Sequence, residues 1–246
     1  MTTVGYGVAR LEWPDGQPIE DIQAAVSAAL ADHDRVEAWV DPTDPAAHRL
    51  AIWSGLRREG VMRGVTLAGA PVDRVVYARL ADDLAPHEPE GFRALLNSFL
   101  PRKRAISQLL VRDRDGRVLL CRLTYKQDWD LPGGVVEVGE SPQLAVAREV
   151  EEELALQLPA GRLLLTDWLP PWSGWDDALC LVFDGGVHDP AVLDHAVLQA
   201  REIRSVQFCT LDEVRERCAD FTARRIEAAL ANVAGGGPAY TESGAG

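Results

Sequence analysis

Cysteine is scarce in this sequence, and its placement argues against two common kinds of structural cross-link. The four cysteines are far apart, without a CxxC pair or a histidine at metal-ligand spacing: Cys121, Cys180, Cys209 and Cys218. This pattern disfavours a structural zinc site and a disulfide framework. Two of them lie in apolar runs, "RVLLCRL" and "ALCLVF", where a reduced thiol behaves as a small hydrophobic side chain. Because reduced thiols are usual in the cytosol, we expect a cytoplasmic protein.

Positive charge is also scarce. The chain has 25 basic and 38 acidic residues, for a formal net charge of −13, so we expect no nucleic acid polymer as a partner. The first residues lack the basic segment and apolar core of a secretory signal, and no apolar run is long enough to span a bilayer. We therefore expect no membrane partner.

The chain has 246 residues, of which 47% are hydrophobic. This length and hydrophobic content are sufficient for two domains. The segment 87–104 separates two regions of different texture, and we place the boundary at 100–104. This gives an N-terminal domain over residues 1–100 and a second domain over 104–233. The Gly-rich end, 234–246, is predicted to be disordered.

Both regions alternate strand-like and helical patterns, which predicts an α/β protein. In the first region, residues 5–13 have the pattern of a strand, residues 44–60 that of a helix ended by Gly60, and a hairpin turns at "GAP", 69–71. The second region begins with two strand-like runs joined by the turn signal Asp115-Gly116.

The stretch "LPGGVVEVGESPQLAVAREVEEEL", 131–154, carries the chemistry. Ser141 is a good N-cap and Pro142 a good first helical residue, which predicts a helix with an apolar stripe of Leu144, Ala147, Val150 and Leu154. Glu149, Glu152 and Glu153 are then spaced i, i+3 and i+4, so we expect the three carboxylates to converge. Such a group repels itself, and a hard cation such as Mg²⁺ would remove that cost, whereas a solvated acidic helix is the alternative for a bare run such as "REVEEEL". Arg148 can reach Glu152 and Glu140 and orient them.

The spacing of these residues resembles the signature of the Nudix hydrolases. Five residues separate Gly134 from Glu140, seven more lead to Arg148, and "REVEEEL" supplies the remaining acids. Every specified position matches except Ala155, which stands where the family has glycine. The resemblance covers about residues 105–233. It implies an α/β/α sandwich with a mixed sheet, and hydrolysis of a nucleoside diphosphate linked to another moiety.

The resemblance also implies roles for individual residues. Glu152 and Glu153 would be the main Mg²⁺ ligands, helped by a carbonyl of Gly133 or Gly134, and Mn²⁺ could replace Mg²⁺. Glu149 would bind metal or act as general base, while Arg148 and Glu140 would hold the cluster in shape. A further glutamate outside the motif supplies a base or ligand in several families, and Glu202 is the best-placed candidate.

The substrate stays open between a nucleotide sugar or ADP-ribose-like compound and a nucleoside triphosphate. Pro170 resembles a proline associated with ADP-ribose hydrolysis, although Pro171 follows it. Trp168, Trp172 and Trp175 could stack on a base or serve as packing. Tyr125 and Lys126 lie just before the motif, where contact with a substrate phosphate and a plain surface position are both open.

The first region resembles the C-terminal half of GNAT-type acetyltransferases in its Gly55-Leu56 corner, Glu59-Gly60, and Asp73, Tyr77 and Leu80. Its candidate pyrophosphate turn, "EWPDGQPIED", carries four acids that would oppose a pyrophosphate. We expect a degenerate half-domain used for packing, substrate covering or homodimerisation. The main hypothesis is thus a Mg²⁺-dependent hydrolase of a small nucleotide; a nucleotide-sensing or partner-binding module is the alternative, and acetyl transfer the third.

Overall fold

The structure, a computed structural model, describes residues 2–5 and 7–246. The chain divides into two compact units, Met1–Pro101 and Arg102–Gly246. Among the described residues, no helix is long and apolar enough to cross a membrane.

The first unit is a five-stranded mixed sheet with helices. Its elements are β1 (Thr2–Gly5), β2 (Val8–Arg10), α1 (Ile19–Leu30), β3 (Arg35–Val40), α2 (Pro45–Trp53), β4 (Arg57–Leu67), β5 (Ala70–Leu80) and α3 (Pro89–Phe99). The strand order is β1-β2-β3-β5-β4, with β2 and β3 parallel and the other pairs antiparallel. Apolar residues of α1, such as Ile22 and Val26, pack with Ala9, Val36 and Ala38 of the sheet.

Two elements of the first unit differ from the sequence prediction. The helix predicted over 44–60 ends at Trp53, because Gly55 takes a positive φ of 86° and the chain continues as β4 from Arg57. The predicted strand 5–13 is reduced to Val8–Arg10 and part of β1, and Tyr6 lies outside the described residues. The hairpin is present, with Leu67 paired to Ala70.

The second unit is built on an eight-stranded mixed sheet. Its elements are β6 (Arg104–Arg112), β7 (Val118–Leu123), β8 (Trp129–Asp130), β9 (Gly133–Val135), α4 (Pro142–Leu154), β10 (Leu163–Leu169), β11 (Ala178–Val187), a 3₁₀ turn (Pro190–His195), β12 (Ile203–Cys209), α5 (Leu211–Arg217), α6 (Asp220–Val233) and β13 (Tyr240–Glu242). The main path is β12-β7-β6-β11-β10-β13, while β8 pairs with β7 and β9 with β6.

Helices cover both faces of this sheet. On one face Val146, Val150 and Leu154 of α4 pack against Leu109 and Leu119. On the other face Ala223, Ile226 and Ala229 of α6 pack with a second set of strand residues, including Leu110 and Leu120. This confirms the predicted α/β/α sandwich with a mixed sheet.

The C-terminal end differs from its predicted disorder. Residues Tyr240–Glu242 form β13, which runs parallel to β10. The buried carboxylate of Asp167 explains the order, because it accepts hydrogen bonds from the Thr241 hydroxyl at 2.7 Å and the Gly244 amide at 2.8 Å. A Gly-rich composition did not reveal that this segment supplies donors to a buried acid.

Candidate active site

Helix α4 begins and ends with defined caps. The Ser141 hydroxyl accepts from the Leu144 amide at 3.3 Å, and Pro142 is the first helical residue, as predicted. At the other end Ala155 takes the left-handed conformation, φ 55° and ψ 28°, and its amide donates to the Glu151 carbonyl at 2.8 Å. Alanine therefore adopts a backbone conformation that favours glycine.

The buried face of α4 is rotated relative to the predicted stripe. Val150 and Leu154 are in the core, but Leu144 is 66% exposed and Ala147 only partly buried. The buried positions are Ala145, Val146, Val150, Glu153 and Leu154. The rotation places a carboxylate, that of Glu153, against the sheet.

Glu153 is the most buried acid of the motif, with 4% of its surface exposed. Its Oε2 accepts from the amide of Gly133 at 3.1 Å. Burial raises the pKa of Glu153 to about 8; the hydrogen bond from Gly133 opposes the shift, and the charges of Glu149, Glu202 and Asp130 add to it. Glu153 is thus a buried carboxyl in a negative environment.

Glu149 lies against Gly134. A Cβ at Gly134 would stand 2.4 to 2.7 Å from the carboxyl atoms of Glu149, so only glycine leaves room for that carboxyl. Burial raises the pKa of Glu149, contacts with Arg148 lower it, and the charges of Glu152 and Glu202 raise it further.

Gly133 is held by a different contact. It has φ 137°, and a Cβ there would stand 2.1 Å from the Ser107 carbonyl oxygen of β6. The two glycines pair with Gln108 and Ser107, which brings strand β9 close to β6 on one side and to the glutamates of α4 on the other. The Gly-Gly pair therefore sets the distance between the sheet and the acidic helix.

Arg148 connects the remaining acids. Its Nε and Nη2 donate to the two oxygens of Glu140, each at 3.0 Å, and its Nη1 donates to Glu149 at 3.1 Å and Glu152 at 3.0 Å. The hydrogen bond with Glu140, followed by the charge of Glu149, raises the pKa of Arg148 despite its desolvation.

The three glutamates do not converge as the sequence predicts. Glu153 turns inward to the Gly133 amide, whereas the side chain of Glu152 is 58% exposed and paired with Arg148. Within residues 2–5 and 7–246, no group of three or more His, Cys, Asp or Glu side chains is placed to hold a metal ion. The contact of Arg148 with Glu152, expected from helical spacing, is present and holds that carboxylate outward.

Glu202 faces this site from the loop before β12. Its side chain accepts from Gln199 at 3.3 Å, and its charge raises the pKa of both Glu149 and Glu153. The charges of Glu149 and Glu202 thus act on Glu153, while Arg148 holds Glu152 and Glu140 by ion pairs.

The carboxylates of this site have the chemistry that a divalent cation requires, although they are not gathered around one point. Glu153 is buried with one hydrogen bond, and three other carboxylates act on it, so its ionised form lacks compensating charge. Hard cations take carboxylate oxygens of this kind.

Three nearby residues have surroundings that the sequence did not reveal. Asp130 is held by Lys126 at 2.7 Å and by Gln108 at 2.8 Å, so Lys126 is committed to an ion pair. Tyr125 is 68% exposed, and desolvation of its hydroxyl together with the charges of Glu153, Asp130, Glu202 and Glu149 raises its pKa to about 12. An acid inside the apolar run "WDLP" was the available signal for Asp130.

The tryptophans lie elsewhere in the second unit. Trp172 and Trp175 are exposed and line a small cavity of about 120 Å³ together with Pro170 and Phe221. Trp168 is partly buried on β10. Stacking of these tryptophans on a base stays a prediction.

The second unit is similar to known proteins. A family model, the NUDIX domain, matches residues 101–230. A MutT-like protein of Streptomyces ambofaciens is 34% identical over 130 residues, covering 51% of this chain and 75% of that protein. Nucleoside triphosphatase NudI of Escherichia coli O1:K1 / APEC is 40% identical over 81 residues, covering 31% of this chain and 52% of that protein, so the chain spans about half the length of this relative.

Solved structures are similar at lower identity. The MutT protein from Methanosarcina mazei Go1 has 24% identity and a TM-score of 0.46, over 54% of this chain and 96% of that one. A UDP-X diphosphatase has 23% identity and a TM-score of 0.48, over 65% of this chain and 77% of that one. The family match begins at residue 101, so the acetyltransferase resemblance of the first unit is not confirmed.

Proposed function

The chain belongs to the Nudix family of pyrophosphohydrolases, and from this premise we propose that it hydrolyses the diphosphate linkage of a small nucleoside diphosphate compound with Mg²⁺. One observation carries the proposal. A buried carboxyl, Glu153, lies under the Gly133-Gly134 turn, and the charges of Glu149 and Glu202 act on it. Burying a carboxylate among other negative charges destabilises a helix that has only a structural role. A bound cation would remove this destabilisation.

In this proposal Glu153 would hold Mg²⁺ or Mn²⁺ from the helix with Glu152 as a further ligand, and Glu202 would add a carboxylate from the loop. A carbonyl of Gly133 or Gly134 would be another donor, which leaves Glu149 as the general base. The bound cation supplies positive charge for the phosphate oxygens, on which negative charge develops as the anhydride breaks.

Side chains of the protein would position the attacking water and accept its proton. A water oxygen forms a bond to phosphorus, the phosphorus–oxygen bond of the anhydride breaks, and the proton of the water passes to Glu149. The raised pKa of Glu149 suits a proton acceptor. Arg148 fixes the orientation of Glu149 while Glu140 fixes Arg148, so both are positioning residues.

A panel of nucleoside triphosphates, nucleotide sugars and ADP-ribose-like compounds, each with Mg²⁺ or Mn²⁺, tests this function. We expect release of nucleoside monophosphate, pyrophosphate or phosphate from at least one compound, and loss of release in Glu152→Gln. No turnover across the panel with either metal would refute the proposal.

A second candidate is a nucleotide-binding module without turnover. The outward position of Glu152 favours it, because the three acids of the helix are not gathered in this conformation. Calorimetry that shows nucleotide binding to a chain without turnover would support this alternative.

A cytoplasmic location is part of the proposal. All four cysteines are buried with free thiols, which suits a reducing compartment.

A further inference from the structure

A second cavity lies where strand β7 ends and strand β12 begins. A cavity of about 490 Å³ is lined by Arg122, Thr124, Tyr125, Lys126, Gln127 and Arg204, which together we call the cationic pocket. Its lining has three cations and no carboxylate, in a chain where acidic residues outnumber basic ones 38 to 25. The composition of the pocket therefore opposes the overall charge of the protein.

The strand pattern fixes the direction of the arginines. Arg122 lies between buried Cys121 and Leu123, so its side chain points away from that core face. Arg204 is exposed on the partner strand and donates from Nη2 to the Thr124 carbonyl at 3.0 Å. Among the described residues no hydrogen bond or ion pair is made by the Arg122 side chain, so its charge is available to a ligand.

The third cation is partly neutralised. Lys126 is paired with Asp130 at 2.7 Å, and its side chain is also partly exposed. The free positive charge of the cationic pocket thus comes mainly from the two arginines.

The cationic pocket adjoins the carboxylate site. The Thr124 amide donates to the Glu202 carbonyl at 2.8 Å, and the Thr124 hydroxyl donates to the Arg201 carbonyl at 2.6 Å. Tyr125, the residue after Thr124, belongs to the pocket lining. A substrate on the carboxylates can therefore extend into the pocket.

The chemistry of the pocket distinguishes nucleotide sugars from nucleoside triphosphates. The carboxylates with their cations take the diphosphate that is cleaved. A nucleotide sugar then offers neutral hydroxyls to the neighbouring pocket, whereas a nucleoside triphosphate offers one more phosphate. Arginine side chains bind phosphate oxygens through charge-assisted hydrogen bonds, and they gain little from a neutral sugar.

We infer that Arg122 and Arg204 bind an additional phosphate of the substrate, so that the enzyme prefers nucleoside triphosphates to nucleoside diphosphate sugars. This inference rests on the proposed function for the reaction, while the anion pocket itself can be tested by binding alone.

The test compares Arg122→Gln, Arg204→Gln and Arg114→Gln in the full chain. Arg114 is an exposed arginine in the β6–β7 turn, outside the pocket, so its substitution makes the same change of charge. Steady-state kinetics are measured with a nucleoside triphosphate and a nucleoside diphosphate sugar of the same base. We expect KM for the triphosphate to rise about tenfold in each pocket variant, and to change less than about twofold for the sugar compound or in Arg114→Gln. Equal changes for both substrates, or none in the pocket variants, would overturn the inference.

Binding of inorganic triphosphate, followed by calorimetry, separates the two proposals. A wild-type chain without turnover but with triphosphate binding weakened about tenfold in Arg122→Gln would leave the pocket standing and refute the proposed function. Turnover by the wild type together with triphosphate binding that is equal in all three variants would refute the pocket and leave the proposed function standing.

Discussion

Ala155 ends helix α4 with a positive φ of 55°. The left-handed conformation costs a residue with a Cβ roughly 1 to 2 kcal/mol, so we expect Ala155→Gly to raise the free energy of unfolding by about 1 kcal/mol. Urea denaturation followed by circular dichroism measures the change.

Ala147 in the same helix is the control for this substitution. It lies in the helix interior, so Ala147→Gly should lower the free energy of unfolding by about 1 kcal/mol. Equal destabilisation by both glycines would show that residue 155 is not in the left-handed conformation.

Gly134 leaves space for the Glu149 carboxyl, so a methyl group at this position should disturb the site. The methyl group of Gly134→Ala would stand 2.4 Å from the Glu149 carboxyl carbon, which is the far end of a flexible side chain. We expect Glu149 to move, so that turnover falls by at least about tenfold while the thermal midpoint changes little. Gly236→Ala, where nothing lies within 4 Å, should leave turnover unchanged. Full turnover in Gly134→Ala would argue against a role for Glu149.

At the scale of elements, strand β13 depends on a buried acid. The Asp167 carboxylate accepts from Arg225 Nε of α6 at 2.8 Å, as well as from Thr241 and Gly244 in the segment after α6. Thr241→Val removes one donor to a buried carboxylate, which should cost about 1 to 3 kcal/mol of unfolding free energy.

Tyr240 supplies the matched control on the same strand. Its exposed hydroxyl contacts only Glu242 among the described residues, at 3.1 Å, so Tyr240→Phe should be nearly neutral in urea denaturation. If both variants are neutral, β13 is not held by Asp167.

The β6–β7 turn gives a prediction about pH. Burial alone would raise the pKa of Asp113, but hydrogen bonds from the Arg117 amide and side chain outweigh it and lower the pKa. The stabilisation is therefore present above the unfolded pKa of about 3.9 and is lost as pH falls through the lower folded value. In Asp113→Asn we expect a shallower loss of stability between about pH 4 and pH 3, measured by urea denaturation at each pH. An unchanged slope would contradict the ion pair.

The sequence was informative where a local rule determines an element. Ser141 and Pro142 predicted the start of α4, and Asp115-Gly116 predicted the β6–β7 turn, because caps and turns are short-range features. It failed for Glu153 and Thr241. Their positions depend on Gly133 and Asp167, and on packing between segments that a one-dimensional pattern does not contain.

At the scale of the whole molecule, charge and family membership agree. The net charge of −13 opposes polyanionic partners, while the glutamates of α4 and the cationic pocket suit a small phosphate compound with cations. Two compact units were expected from the composition, but the acetyltransferase resemblance of the first unit has no support from the family match. The hydrolase account therefore rests on the second unit.

The most direct test of this account is the Mg²⁺ dependence of turnover in the wild type, Glu153→Gln and Glu151→Gln. Glu151 is exposed on α4 and contacts Gln157. Glu151→Gln therefore makes the same change of charge on the same helix, outside the site. We predict that wild-type turnover rises to saturation with Mg²⁺, vanishes with chelator, falls on the order of a hundredfold in Glu153→Gln and is retained in Glu151→Gln. Turnover that is independent of added Mg²⁺, or equal in the two variants, would contradict the account.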